Sequence, residues 1–215
     1  MNIGPYIDYA MLKPDSLQKD IEQLGKKAIE KSFKAICIPP YFVDFASNAF
    51  ANSTLKIATV VGFPLGYSTT PVKIEEIKKA LTDGAHEIDA VINICAVKSG
   101  NWNYVANEID SMVTACHMRG KVIKIILETH LLTTEELSRL VDICITAKAD
   151  FIKTSTGFHG HKTSPELISQ LKTMVGNSIK IKASGGIRTL NDSLKLIEAG
   201  ADRIGSSSAH TFVKS

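Results

Sequence analysis

Four charged residues stand inside segments that otherwise read as apolar strands. They are Asp89 in EIDAVIN (87–93), Lys124 in KVIKIILE (121–128), Lys153 in ADFIKTS (149–155) and Lys182 in IKIKAS (179–184). Lysine is rarely buried without a reason. A single one could face outward, its stem covered and its head between helices. Three lysines and an aspartate on consecutive strands make that reading much weaker. A lysine amine attacks a carbonyl only when neutral, and at its reference pKa only about one molecule in 2,500 is neutral at pH 7. A second ammonium nearby, in a dry site, favours the neutral form of the first. Lowering the pKa to roughly 7 raises the neutral population about a thousandfold, for about 4–5 kcal/mol of differential electrostatics. Lys153 and Lys182 on adjacent strands therefore point to imine chemistry.

A second signal concerns anions. Two late loops read SGGIRT (184–189) and GSSS (205–208), and Gly157 follows the strand that carries Lys153. Glycines let backbone amides approach an anion, and serines add hydroxyl donors. These glycines could serve only turns, but both loops fall where barrel enzymes hold phosphate, after the seventh and eighth strands.

The elements that would position these groups are legible as a recurring unit: a short β-branched run, a turn, then an amphipathic segment closed by glycine. Besides the four runs above, AICI (35–38), KIATVVGF (56–63) and DRIGSS (202–207) read as strands, with YIDYAML (6–12) a weaker eighth. They are apolar nearly throughout, as strands covered on both faces of a parallel sheet are. Helical spacing appears at Leu17, Ile21, Leu24 and Ala28, and at Ile74, Ile77 and Leu81 after Thr70-Pro71. It recurs at Val105, Ile109, Met112 and Cys116, and at Leu137, Leu140 and Val141 after a Thr133/Glu136 capping box. Ser164-Pro165 and Thr189 open two more segments, ending at Gly176 and Gly200. Eight strands with intervening helices in 215 residues predict a (β/α)8 TIM barrel, with residues 1–215 as one domain. A doubly wound open sheet is the rival, weakened because no G-x-G-x-x-G follows the first strand.

Composition excludes other classes. Hydrophobic residues make up 44% and charged residues 22%, ordinary for a globular chain with a sizeable core. No apolar run approaches the roughly 18–20 residues that cross a bilayer, and the N-terminus lacks a signal-peptide layout, so a cytoplasmic protein without membrane contact is expected. Lys and Arg total 25 against 22 Asp and Glu, scattered and without a basic block. That argues against nucleic acid and suits a small anionic substrate. Cys37, Cys95, Cys116 and Cys144 are widely spaced in apolar segments and read as reduced core thiols, Cys37 with a place near the barrel mouth. Trp102 reads as packing at a helix start, and Glu128 either bonds within the site or caps the next loop. His159 and His161 form an H-x-H, but zinc needs three or four ligands and no third histidine adjoins them in sequence. They read as solvent-facing loop residues, with no metal expected.

The stretches IDYAMLKPD (7–15), TVVGFPLG (59–66), EIDAVIN, KIILET (124–129), DFIKTSTGF (150–158), KASGGIRT (182–189) and ADRIGSS (201–207) together resemble the deoxyribose-phosphate aldolases, a family of class I (Schiff-base) enzymes. The resemblance runs in family order along almost the whole chain, and its KTSTGF and KASGGIRT motifs are highly specific. It implies Lys153 as the Schiff-base lysine, Lys182 as its pKa-lowering and proton-transferring neighbour, and Asp89 as proton donor/acceptor. It places phosphate near Gly157, Gly185, Gly186, Gly205, Ser206 and Ser207. The implied substrate is 2-deoxy-D-ribose 5-phosphate, cleaved to D-glyceraldehyde 3-phosphate and acetaldehyde in deoxyribonucleotide catabolism, with no cofactor. The sequence does not set the oligomeric state; a homodimer is compatible with it.

Three departures bear on proton transfer and substrate preference. Ala10 replaces the usual threonine of the first strand motif, HGHKTS (159–164) replaces a small glycine-rich segment, and the C-terminus TFVKS lacks the tyrosine some members carry. Two other readings stay open: a Schiff-base aldolase for another sugar phosphate such as a ketose phosphate, and a barrel in which Lys153 only binds phosphate. Lys124 has no role in the implied mechanism. An Asp89–Lys124 ion pair within about 4 Å is expected, with Lys124 keeping the carboxylate ionised.

Overall fold

A computed structural model describes residues 2–213, so the last two residues of the C-terminus discussed above lie outside it. The chain alternates strand and helix. In order it forms β1 (Ile7–Ala10), α1 (Gln18–Glu30), β2 (Ala35–Ile38), α2 (Val43–Ala49), β3 (Lys56–Val61), α3 (Thr70–Thr82), β4 (Glu87–Val91), α4 (Ile94–Lys98) and α5 (Trp102–His117). It continues with β5 (Val122–Ile126), α6 (Thr134–Thr146), β6 (Phe151–Lys153), α7 (Pro165–Val175), β7 (Lys180–Ser184), α8 (Leu190–Glu198), β8 (Arg203–Ser206) and α9 (Ala209–Phe212). The eight strands pair in parallel, each with the next and β8 with β1, closing the expected (β/α)8 barrel.

Period-two alternation divides each strand between two environments. Outward residues such as Ile36, Ile57, Ile88, Ile123, Ile152, Ile181 and Ile204 pack in one core with the inner faces of the helices. Each such side chain taken from water contributes about 1.5–3 kcal/mol. The helical faces match the spacing read from sequence except at Leu17, which is exposed just ahead of α1: Ile21, Leu24 and Ala28 on α1, and Val105, Ile109, Met112 and Cys116 on α5, are buried. In the Thr133/Glu136 capping box at α6, the Glu136 amide donates to Thr133 Oγ1 (3.2 Å) and the Thr133 amide to Glu136 Oε2 (2.8 Å). Trp102 opens α5 as expected, with the Arg139 guanidinium 4.5 Å from its ring.

Inside the barrel the two halves differ. Ala35, Cys37, Ala58 and Val60, from β2 and β3, form a separate small apolar cluster that leaves room. The other half holds the buried charges, packed around the Phe151 ring. Outside the barrel, a buried Lys73–Glu108 pair (2.8 Å) braces the exit of β4. Lys73 Nζ also donates to the Val91 carbonyl, and Glu108 accepts from the Asn93 amide, each at 2.8 Å.

The structure corrects one expectation and adds one helix. Cys95 lies exposed on α4 rather than in the core, whereas Cys37, Cys116 and Cys144 are buried. Helix α2 escaped the periodicity reading because its buried face is short: Val43 and Ala46, extended by Phe42 and Phe50 on either side. The Phe50 ring crosses α1 at Gly25, where a Cβ would meet it at 2.0 Å.

Candidate active site

Strand register brings the charged side chains together. Lys124 lies opposite Asp89, Lys182 opposite Lys153, and Arg203 opposite Lys182. Lys153 Nζ donates to Asp89 Oδ2 at 2.9 Å, and Lys182 Nζ donates to the same oxygen at 2.8 Å. The two amines are thus separated only by a shared carboxylate oxygen. The Asp89–Lys124 ion pair is present, Lys124 Nζ lying 2.9 Å from Asp89 Oδ1.

Three interior residues were missed from sequence. Asp8 on β1 bonds Lys182 at 2.5 Å and is also paired with Arg203. Glu87 bonds Lys124 at 2.5 Å and Arg203 at 3.3 Å. All are buried, with Asp8, Asp89 and Lys124 fully enclosed. Four cations therefore face three carboxylates inside one barrel, a set that balances when one amine is neutral. Glu87 carried a readable signal, since it sits two residues before Asp89 and so shares its face.

Burial by itself would raise the Asp89 and Asp8 carboxyls. The ammoniums outweigh it: Lys124, Lys153 and Lys182 hold Asp89 well below the usual carboxylate range, and Lys182, Lys124 and Arg203 bring Asp8 to about 2. Burial likewise opposes the charged forms of Lys182 and Lys124. Asp8 and Asp89 nevertheless raise the Lys182 amine above its ordinary value, and Asp89, Glu87 and Asp8 raise Lys124. Lys182 is therefore a fixed positive charge. Cys37 Sγ lies 4.0 Å from Asp89 Oδ2, and burial with that carboxylate pushes its thiol up to about 11, so it is present as a neutral thiol.

Above this cluster, at the C-terminal end of the strands, opens a cavity of about 740 Å³. All six residues expected at a phosphate site line it: Gly157, Gly185, Gly186, Gly205, Ser206 and Ser207. Arg188, Lys27 and His210 also line it and were not foreseen. Gly185 has φ 104°, and a Cβ there would meet Ser155 Oγ at 2.5 Å. Gly205 has no such backbone need; its Cβ would press on Lys182 Cε at 3.2 Å, so the glycine clears the path between cavity and amine. The Ser206 hydroxyl donates to the Ile187 carbonyl (2.7 Å) and accepts from the Ser208 amide, which shapes the loop.

Of the two roles read for it, Glu128 takes the first, bonding beside the site, and its side chain does not cap the turn that follows β5. It is 1% exposed, has φ 55°, and accepts the Thr156 hydroxyl at 2.6 Å and the Thr156 amide at 3.2 Å, pinning the loop that carries Gly157. His159 and His161 are exposed, as expected, yet not alone, because His130 packs against both.

A family model described as DeoC/LacD family aldolase matches residues 6–211. The chain belongs to this aldolase family. Deoxyribose-phosphate aldolase of Desulfitobacterium hafniense is 46% identical over 208 residues, covering 97% of this chain and 95% of the relative. That of Staphylococcus saprophyticus is 44% identical, covering 100% and 96%. Among solved structures, the aldolase QR15 superposes with a TM-score of 0.93 at 43% identity, covering 98% of this chain and 94% of that one. The tetrameric deoxyribose phosphate aldolase of Aeropyrum pernix gives 0.91 at 32% identity, covering 98% and 88%. The aldolase described here is thus an enzyme of established class. Among its described residues no helix is long and apolar enough to cross a membrane.

Proposed function

We propose that this aldolase reversibly cleaves 2-deoxy-D-ribose 5-phosphate to D-glyceraldehyde 3-phosphate and acetaldehyde through an imine on Lys153. The observation that carries the reading is the shared Asp89 oxygen, which holds Lys153 and Lys182 at 2.9 and 2.8 Å beneath a glycine- and serine-lined cavity. The relatives named above support the substrate.

In the cleavage direction, neutral Lys153 adds to the open-chain aldehyde, and loss of water gives an iminium, the electron sink. Asp89, held ionised by the Lys124 and Lys182 ammoniums, accepts the proton of the third-carbon hydroxyl through a water. The bond between the second and third carbons breaks, its electron pair entering the iminium to give an enamine, and D-glyceraldehyde 3-phosphate leaves. Asp89 returns that proton through water to the second carbon of the enamine, and water hydrolyses the resulting iminium to acetaldehyde and the free amine. Lys182 supplies a fixed positive charge beside the reacting nitrogen, and Asp89, in contact with both amines, carries the proton. Lys124 keeps Asp89 ionised and oriented. The phosphate sits against Gly157, Gly185, Gly186, Gly205, Ser206 and Ser207, whose backbone amides, with the Ser207 hydroxyl, suit a dianion.

Lys153→Arg tests the reading, because a guanidinium stays protonated and cannot form an imine. The variant should release no glyceraldehyde 3-phosphate from deoxyribose 5-phosphate. Turnover above about a tenth of the parent would sink the imine assignment, since covalent catalysis cannot survive loss of its nucleophile at that level.

A further inference from the structure

The serine loop that follows β8 runs on into α9, which brings an imidazole to the cavity wall. His210, two residues beyond Ser208, lines the cavity together with Tyr9 of β1. Tyr9 stands opposite Ser206 in strand register and is 4% exposed, its ring edge-on to Phe33 with centroids 5.6 Å apart. The Tyr9 hydroxyl and His210 Nδ1 are 2.6 Å apart, a close hydrogen bond. Given that this cavity holds the substrate's phosphate, as proposed above, we infer that His210 is a phosphate-binding residue of this enzyme, donating from Nε2 while Tyr9 holds its ring in place.

The pair decides which nitrogen carries the proton. Burial, with Lys27 and Lys31 nearby, keeps the imidazole below its ordinary pKa, and burial holds the Tyr9 hydroxyl above its own. Near neutral pH an uncharged ring therefore meets a protonated phenol. The phenol is the more acidic partner, so it donates to Nδ1 and the ring proton resides on Nε2. Nδ1 is thus engaged by Tyr9, whereas Nε2 has no hydrogen-bond partner among the described residues. An N–H without an acceptor on a cavity wall suits an incoming anion, to which its hydrogen bond is charge-assisted.

The surroundings favour a phosphate over an uncharged ligand. The cavity wall carries Lys13, Lys27 and Arg188 against Asp15 and Asp20. Asp20 is already engaged, accepting from the Leu17 amide at 2.9 Å at the start of α1. Among the described residues no ion pair involves Lys27, so its charge is open to a ligand. The same ammonium keeps the imidazole uncharged and attracts a dianion. Lys27 therefore supplies charge and His210 supplies direction, beside the amides of the Gly205–Ser208 loop.

The test separates phosphate contact from imine chemistry by using glycerol 3-phosphate, a phosphate monoester with no carbonyl for Lys153 to attack. Calorimetric titration of the full chain should show one site, and His210→Phe should weaken it at least about tenfold, the loss of one hydrogen bond to a charged group. His210→Gln, whose side-chain amide donates from nearly the place of Nε2, should bind within about threefold of the parent, and Tyr9→Phe should weaken binding by about 2–10-fold. His210 is only half-buried, so all three variants should fold. With 2-deoxyribose 5-phosphate, His210→Phe should act on KM rather than on kcat, the pattern of lost uniform binding. A parent that does not bind glycerol 3-phosphate, a His210→Phe variant that binds it within about twofold of the parent, or equal losses in His210→Gln and His210→Phe would overturn the assignment. Binding that depends on His210 in an enzyme whose Lys153 takes no label from acetaldehyde would uphold it and remove the imine instead.

Discussion

Lys124 is the side chain whose removal most directly probes the buried charge set. It is wholly enclosed, with Glu87 at 2.5 Å, Asp89 at 2.9 Å and Asp8 at 3.8 Å from its ammonium. Lys124→Met keeps most of the volume and removes the charge. Asp8 and Glu87 retain Arg203, and Asp89 retains Lys153 and Lys182, so the loss falls on Asp89 Oδ1 and on one Glu87 oxygen. Removing one partner of a buried pair typically costs about 3–5 kcal/mol, because the remaining charge is stranded. For a chain of this size each kcal/mol moves the melting temperature by about 2–4 °C, so a fall of about 6–20 °C is expected in calorimetry. Turnover should fall as well, since Asp89 loses the contact that orients it, while reductive trapping of acetaldehyde on Lys153 persists. A variant that melts within about 2 °C of the parent would refute the argument that Lys124 offsets the carboxylates' desolvation.

Two further outcomes follow from the same network. Lys182→Leu should cut turnover near neutral pH by about 10²–10⁴-fold, and an unchanged pH–rate profile in the variant would rule out its electrostatic role. Asp8, with its pKa lowered from 3.8 to about 2, binds a proton more readily unfolded than folded. Its contribution to stability is therefore complete above pH 3.8 and lost as pH falls towards about 2, so Asp8→Asn should flatten the acid limb of stability measured by urea unfolding. An acid limb as steep as the parent's would contradict it.

The barrel was legible because its strands are apolar on both faces, which leaves a charge inside a run conspicuous; Asp89, Lys124, Lys153 and Lys182 were found that way. Asp8, Glu87 and Arg203 were not, because each sits at or near the start of its strand, where a charge ordinarily reaches solvent. Only closure of the barrel reveals that this end is sealed, with Lys124, Lys180 and Arg203 all within 6 Å of the Phe151 ring. The loops that line the cavity were readable from glycine and serine at the ends of strands. His130 was not, since its approach to His159 and His161 joins the ends of two strands, and no local spacing encodes that contact. The bridging role of Asp89 was also hidden: sequence predicted two lysines acting on each other directly, whereas an oxygen lies between them.

The central claim is an imine on Lys153, and borohydride reduction in the presence of acetaldehyde reads it directly. Peptide mass analysis should find one ethyl group per chain, on Lys153, and none when borohydride acts without the aldehyde. An intact Lys153 with the label on Lys182, or no label at all from an enzyme that is turning over, would contradict the account.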